Sequence, residues 1–81
     1  MTAAELRAKV LAALGEIAPE AALDRLAGDA ELREELDLDS MDFLRFVQQL
    51  AAATGVEVPE ADYAKLATLD ECVAYLAERS V

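Results

Sequence analysis

Apolar residues recur at helical spacing in three stretches of the chain. In the first, Leu6, Val10, Leu14 and Ile17 follow at intervals of four, four and three, one stripe of a helix. Thr2 and Glu5 stand ahead of it at capping-box spacing: Thr2 can accept from the N–H of residue 5, and Glu5 can reach back to the N–H of Thr2. Gly15 weakens the last turns and Pro19 forbids continuation, so the pattern predicts a helix over residues 3–17. The next stretch, residues 18–38, carries Leu23, Leu26, Leu32, Leu36 and Leu38 without a steady period. A structureless loop of about 20 residues is uncommon inside a compact domain. An ordered crossing of broken helical turns is expected instead, one opened by Pro19 and another capped by Asp29 and running through Leu36.

The second periodic stretch begins at Asp39-Ser40. Asp39 is a good N-cap, and Asp42 suits a first turn near the positive end of the helix dipole. Phe43, Phe46, Val47, Leu50 and Thr54 mark its inner face, Leu44 and Ala51 widen it, and Gly55 ends it at a C′ position. Val56-Glu57-Val58 then reads as an extended linker, and Pro59 opens a short helix over 59–66 that turns Tyr63 and Leu66 inward. Thr68 and Glu71 form a second capping box, and Leu69, Val73 and Leu76 carry a last helix to Arg79. The expected fold is all-α: a small four-helix bundle of three longer helices and one short, with no sheet. At 81 residues, positions 1–81 make a single domain.

Composition narrows the chemistry. Of the 45 residues of the AVILMFWYC set, 18 are alanine, so 27 larger side chains must build the core. There is no His, hence no His-based triad and no imidazole metal ligand, and one Cys forms neither an internal disulfide nor a thiolate zinc site. Seven Lys and Arg against 17 Asp and Glu leave a net charge of −10. That charge argues against nucleic acid and anionic membranes, and favours partners with basic patches. The expectation is a monomeric cytoplasmic protein, not an enzyme on its own, without a membrane span and without a signal peptide at Met-Thr-Ala-Ala-Glu. A calcium loop started at Asp37 fails at Met41, Asp42 and Gln48, so no metal site is expected. Cys72, with no His to activate it, reads as a small packing residue.

The informative stretch is Glu35-Leu36-Asp37-Leu38-Asp39-Ser40-Met41-Asp42-Phe43-Leu44. It sets a serine at the first position of a helix, behind a capping aspartate and among acids. A phosphate esterified to that hydroxyl would sit at the positive helix end, worth roughly 0.3–1 kcal/mol. Asp37, Asp39 and Asp42 would repel it, so an attached group would be tethered and not clamped. Taken as a dipeptide, Asp-Ser is no more than a common helix start.

In its wider frame the stretch resembles the acyl carrier protein family, whose hallmark is Asp-Ser-Leu at the start of the second helix, commonly within Leu-Gly-Leu-Asp-Ser-Leu-Asp. This chain reads Leu36-Asp37-Leu38-Asp39-Ser40-Met41-Asp42, with Asp37 where the family usually has glycine. The likeness extends through Val56-Glu57-Val58-Pro59 and Thr68-Leu69-Asp70-Glu71. It implies that Ser40 receives 4′-phosphopantetheine from coenzyme A through a carrier-protein synthase. The arm's thiol would then hold acyl groups for loading and processing enzymes that carry basic docking patches. The core around Phe43 and Phe46 would open to admit an acyl chain. Partner recognition would fall to Asp37, Asp39, Met41, Asp42 and Arg45. Fatty-acid carriers usually continue the second helix with acids; here Arg45, Gln48, Gln49 and three alanines follow, which points to a specialised lipid or polyketide pathway. Two alternatives stand beside this: an aminoacyl or peptidyl carrier, or an adaptor bundle that is never modified.

Overall fold

The computed structural model describes residues 1–79. Four α-helices order the chain: α1 (Ala3–Ile17), α2 (Leu32–Glu35), α3 (Ser40–Thr54) and α4 (Leu69–Arg79). Two 3₁₀ segments, Leu23–Arg25 and Glu60–Leu66, lie between them, and the described residues contain no strand. The all-α bundle of three longer helices and a short fourth element is thus the observed architecture. The short element over 60–66 is 3₁₀ and not α, with Pro59 as its cap and the Asp62 N–H donating to the Pro59 carbonyl at 2.9 Å.

Side-chain caps start the long helices where the sequence places them. The Glu5 N–H donates to Thr2 Oγ1 at 3.1 Å and the Thr2 N–H to Glu5 Oε1 at 3.3 Å, closing the capping box of α1. At α4 the Glu71 N–H donates to Thr68 Oγ1 at 3.1 Å, which is one of the two bonds of the box expected there. Beyond α3, Gly55 takes the left-handed conformation, φ 75°, and its N–H donates to the Ala51 carbonyl at 2.8 Å. A capped end contributes about 0.5–2 kcal/mol, whereas each buried Leu or Phe contributes roughly 1.5–3 kcal/mol, so the caps set helix starts and the core sets their packing.

That core is one cluster. Leu6, Val10 and Leu14 of α1, Phe46 and Leu50 of α3, and Leu69, Cys72 and Leu76 of α4 are all fully buried. α1 packs against both α3 and α4, while the 3₁₀ segment Glu60–Leu66 seats on α4 through the fully buried Leu66. On α4 the inner stripe is Leu69, Cys72, Tyr75 and Leu76; Val73, expected there, is only half-buried. On α3, Leu44 does not widen the core. It lies roughly 100° round the helix from Phe43, and it is 37% exposed.

The crossing over 18–38 is ordered, as expected, but not by Asp29. The Ala21 N–H closes a turn over Pro19 onto the Ala18 carbonyl at 3.0 Å. A turn from Ala27 to Ala30 follows, and α2 starts only at Leu32, after Glu31 and without a side-chain cap. Backbone bonds to the start of α4 do the work instead. Leu32 N–H donates to the Ala67 carbonyl at 2.9 Å, Asp70 N–H to the Gly28 carbonyl at 3.0 Å, and Glu31 pairs with Thr68 in an isolated antiparallel bridge. A Cβ on Gly28 would crowd the Asp70 carboxylate, which would have to swing aside. Leu32 and Leu38 anchor the crossing in the core, and Leu23, Leu26 and Leu36 pack at its edge.

Candidate functional site

Leu38 buries itself, Asp39 turns outward, and α3 begins at Ser40. The turn that allows this passes through Asp37, whose φ of 52° is the one positive value at a non-glycine among the described residues. Aspartate tolerates that conformation better than most side chains. The position where the related pattern has glycine therefore keeps a left-handed turn here. Spanning it, the Leu38 N–H donates to the Arg33 carbonyl at 2.9 Å and closes the turn.

The first four N–H groups of a helix have no intrahelical acceptor. At α3 the Asp42 N–H donates to Asp39 Oδ1 at 2.8 Å, and the Asp39 N–H donates to Asp42 Oδ2 at 3.3 Å. This capping box is built from two aspartates. The sequence predicts Asp39 as the cap and Asp42 as a charge beside the dipole; their spacing of three is the signal for the reciprocal bond. Phe43 N–H takes up the first helical bond, to the Asp39 carbonyl at 3.0 Å. The N–H groups of Ser40 and Met41 are left without an intrahelical acceptor, next to an exposed Ser40 side chain that takes no part in the cap.

Around that hydroxyl the structure brings together Asp37, Asp39 and Met41, all exposed, with Asp42 half-buried beside them. Met41 is 69% exposed, a large apolar side chain presented to solvent next to the serine. Arg45, also exposed, follows Met41 one turn along α3. The outward stripe continues through Leu44, expected in the core from its apolar character. Its spacing of three from Met41 was the signal that both share the outer face.

On its other side Ser40 borders a cleft of about 300 Å³ walled by Arg33, Phe43, Leu44, Glu60 and Tyr63. The Arg33 guanidinium stands 5.5 Å over the Phe43 ring, and Tyr63 meets Phe43 edge-on with ring centroids 6.0 Å apart. Phe43 itself is buried against Phe46, centroids 5.8 Å apart, which agrees with its reading as core. Arg33 and Glu60 were not singled out from sequence, since only the packing of α2 and the 3₁₀ segment brings them to Ser40. A phosphate ester on Ser40 fits this setting: exposed oxygen, two uncommitted N–H groups, a helix N-terminus, and room alongside. The neighbouring carboxylates would oppose tight seating, so an arm attached there would stay free to swing.

Two other features bear on the chemistry. Burial pushes the Cys72 thiol up to about 12, with the Glu71 charge adding to it, and Cys72 Sγ lies 3.5 Å from the Leu66 carbonyl. The protein's own thiol is therefore a packing group. No helix among the described residues is long and apolar enough to cross a membrane.

The chain is similar to the acyl carrier protein of Rubrobacter xylanophilus, 36% identical over 50 residues, a stretch covering 62% of each chain. It is 38% identical over 53 residues to the acyl carrier protein of Lactobacillus johnsonii, and 30% identical over 53 residues to that of Lactobacillus acidophilus. Each of those two alignments covers 65% of this chain and 66% of the relative. In all three, the chain spans less than two thirds of the relative's length. A family model described as phosphopantetheine attachment site matches residues 3–76. Matched from α1 into α4, with an exposed serine at the start of α3, the chain belongs to the phosphopantetheine attachment site family.

Proposed function

We propose that this chain, acting as one domain over residues 1–81, is an acyl carrier protein modified at Ser40. The observation that carries the reading is the exposed Ser40 side chain, left out of the Asp39–Asp42 box and placed beside two uncommitted N–H groups. When bound there, 4′-phosphopantetheine supplies a terminal thiol that holds an acyl group as a thioester. The chain's own residues do the rest. Asp39 and Asp42 fix the helix end that carries Ser40, and with Asp37 they keep its surroundings negative. Buried Cys72 offers no competing thiol.

Partners in this reading are a carrier-protein synthase and acyl-loading and acyl-processing enzymes in the cytoplasm. Their docking patches are basic towards Asp37, Asp39 and Asp42 and apolar towards Met41. Arg45 breaks the negative surface one turn on. An enzyme dedicated to this carrier would meet it with an acid, which fits a specialised lipid or polyketide pathway better than ordinary fatty-acid synthesis.

The test is incubation with coenzyme A and a broad-range carrier-protein synthase, followed by a malonyl transferase with malonyl coenzyme A. The reading expects the mass of one phosphopantetheine, then a malonyl group released by hydroxylamine. A protein that gains no mass would stand as an unmodified adaptor. One that gains the arm but accepts only aminoacyl groups would be an aminoacyl or peptidyl carrier.

A further inference from the structure

Of the seven Lys and Arg side chains, Arg33 is the one in the wall of the cleft at Ser40. Lys65 and Arg79 are taken up by Asp62, and Arg45 lies one turn along the outer face of α3. Arg33 pairs with no carboxylate among the described residues, although Glu31 and Glu60 border the two clefts that its side chain touches. An uncommitted guanidinium therefore stands beside the serine in a chain of net charge −10.

Its backbone is set from both sides. The fully buried Leu32 precedes it and donates its N–H to the Ala67 carbonyl at 2.9 Å, while the Arg33 carbonyl accepts from the Leu38 N–H at 2.9 Å. That second bond closes the turn through Asp37 into Ser40, so the arginine and the serine are tied to one local frame. Further out, the guanidinium carbon stands 5.5 Å from the centroid of the buried Phe43 ring, one turn of α3 on from Ser40. A guanidinium resting on an aromatic face keeps its in-plane N–H donors free, and their planar fork matches two phosphate oxygens.

We propose that Arg33 receives the phosphodiester at the root of the arm: its guanidinium donates to the phosphate oxygens from the cleft side of Ser40. The inference rests on the carrier reading and adds a cofactor-binding residue to it. Asp37, Asp39 and Asp42 all repel that phosphate, and Arg33 offsets their repulsion on one side only. The contact concerns the root alone. It sets the side of α3 on which the arm leaves, and the pantetheine beyond the phosphate stays free. The outward stripe of Met41, Leu44 and Arg45 is left clear for a partner enzyme. An exposed charge pair contributes modestly to stability, so its test reads position as well as melting.

The experiment uses the full chain as wild type, Arg33→Gln and Arg33→Lys, each modified to completion with coenzyme A by a carrier-protein synthase and confirmed by intact mass. Each protein is set against its own unmodified form, so the packing of Arg33 on Phe43 cancels. In wild type the side-chain N–H resonances of Arg33 should move downfield on modification, with those of Arg25 and Arg45 in place. The phosphorus resonance should differ between wild type and Arg33→Gln, with Arg33→Lys between them. Modification should change the thermal midpoint more favourably in wild type than in Arg33→Gln, by about 1–4 °C at low salt and less as salt rises. If Arg33→Gln does not fold, the wild-type resonances decide alone. Arg33 resonances that stay in place overturn the contact, and a shift at Arg45 instead would put the phosphate on the outer face. Equal midpoint changes and equal phosphorus resonances in wild type and Arg33→Gln overturn it too. All of these leave the carrier reading intact. A wild type that never gains the arm overturns the carrier reading, and the contact with it.

Discussion

At positive φ a Cβ crowds its own backbone, which is why Asp37 at 52° is the costliest backbone position ahead of the serine. Asp37→Gly removes that crowding but adds freedom to the unfolded chain, two effects of about 1 kcal/mol that oppose each other, so urea denaturation should find it nearly neutral. Asp37→Val, with a β-branched side chain forced into the same turn, should cost about 1–3 kcal/mol. A valine variant as stable as the glycine one would show that the turn does not depend on residue 37. The Cys72 thiol gives a second residue-scale prediction. Pushed up to about 12 by burial and then by Glu71, it carries almost no thiolate at pH 8. A colorimetric disulfide reagent should find no fast thiol in the folded, unmodified protein, and one after denaturation. A fast thiol in the folded protein would contradict its placement beneath the 3₁₀ segment.

Among the elements, that 3₁₀ segment depends most on a single polar contact. The Tyr75 hydroxyl, with Lys65 and Arg79 adding to it, holds the Asp62 carboxyl below its ordinary value of 3.8. A carboxylate depressed in the folded state stabilises it above the ordinary value, and the stabilisation is lost as pH falls through the folded one. Asp62→Asn should therefore lower the thermal midpoint at neutral pH, and the gap from wild type should close as pH drops below 3.8. A gap unchanged across that acid range would mean that the charge is not what seats the segment.

Helix starts were legible in the sequence because caps are local: Thr2 with Glu5, and Asp39 with Asp42, act over three residues. The α2 start was not, because its N–H groups are satisfied by carbonyls such as Ala67, 35 positions away, and no local spacing encodes that. Ser40 and its aspartates were legible for the same reason as the caps. The cleft walls Arg33 and Glu60 were not, since tertiary packing alone carries them to the serine. Leu44 was misplaced because apolar character suggested core, while its angle on α3 put it outside.

Over the whole molecule a net charge of −10 sets a field that draws basic partners, but at physiological salt only charges within about 8 Å of the interface act strongly. Arg45, exposed one turn from Met41, opposes that field where a basic docking patch would land. Arg45→Glu should speed loading by a malonyl transferase that serves ordinary fatty-acid carriers, with the gain shrinking as salt rises. Equal rates for both proteins at low salt would show that Arg45 does not set partner choice.

The central claim is that one hydroxyl, Ser40, receives the arm. The most direct measurement is intact mass, with peptide mapping, of wild type and Ser40→Ala after incubation with coenzyme A and a carrier-protein synthase. Asp39 and not Ser40 closes the cap, so the variant should lose less than about 1 kcal/mol of stability and remain folded. Wild type should gain one phosphopantetheine on the peptide that contains Ser40, and Ser40→Ala none. Modification of the folded Ser40→Ala protein, or a wild type that stays unmodified, would contradict the account.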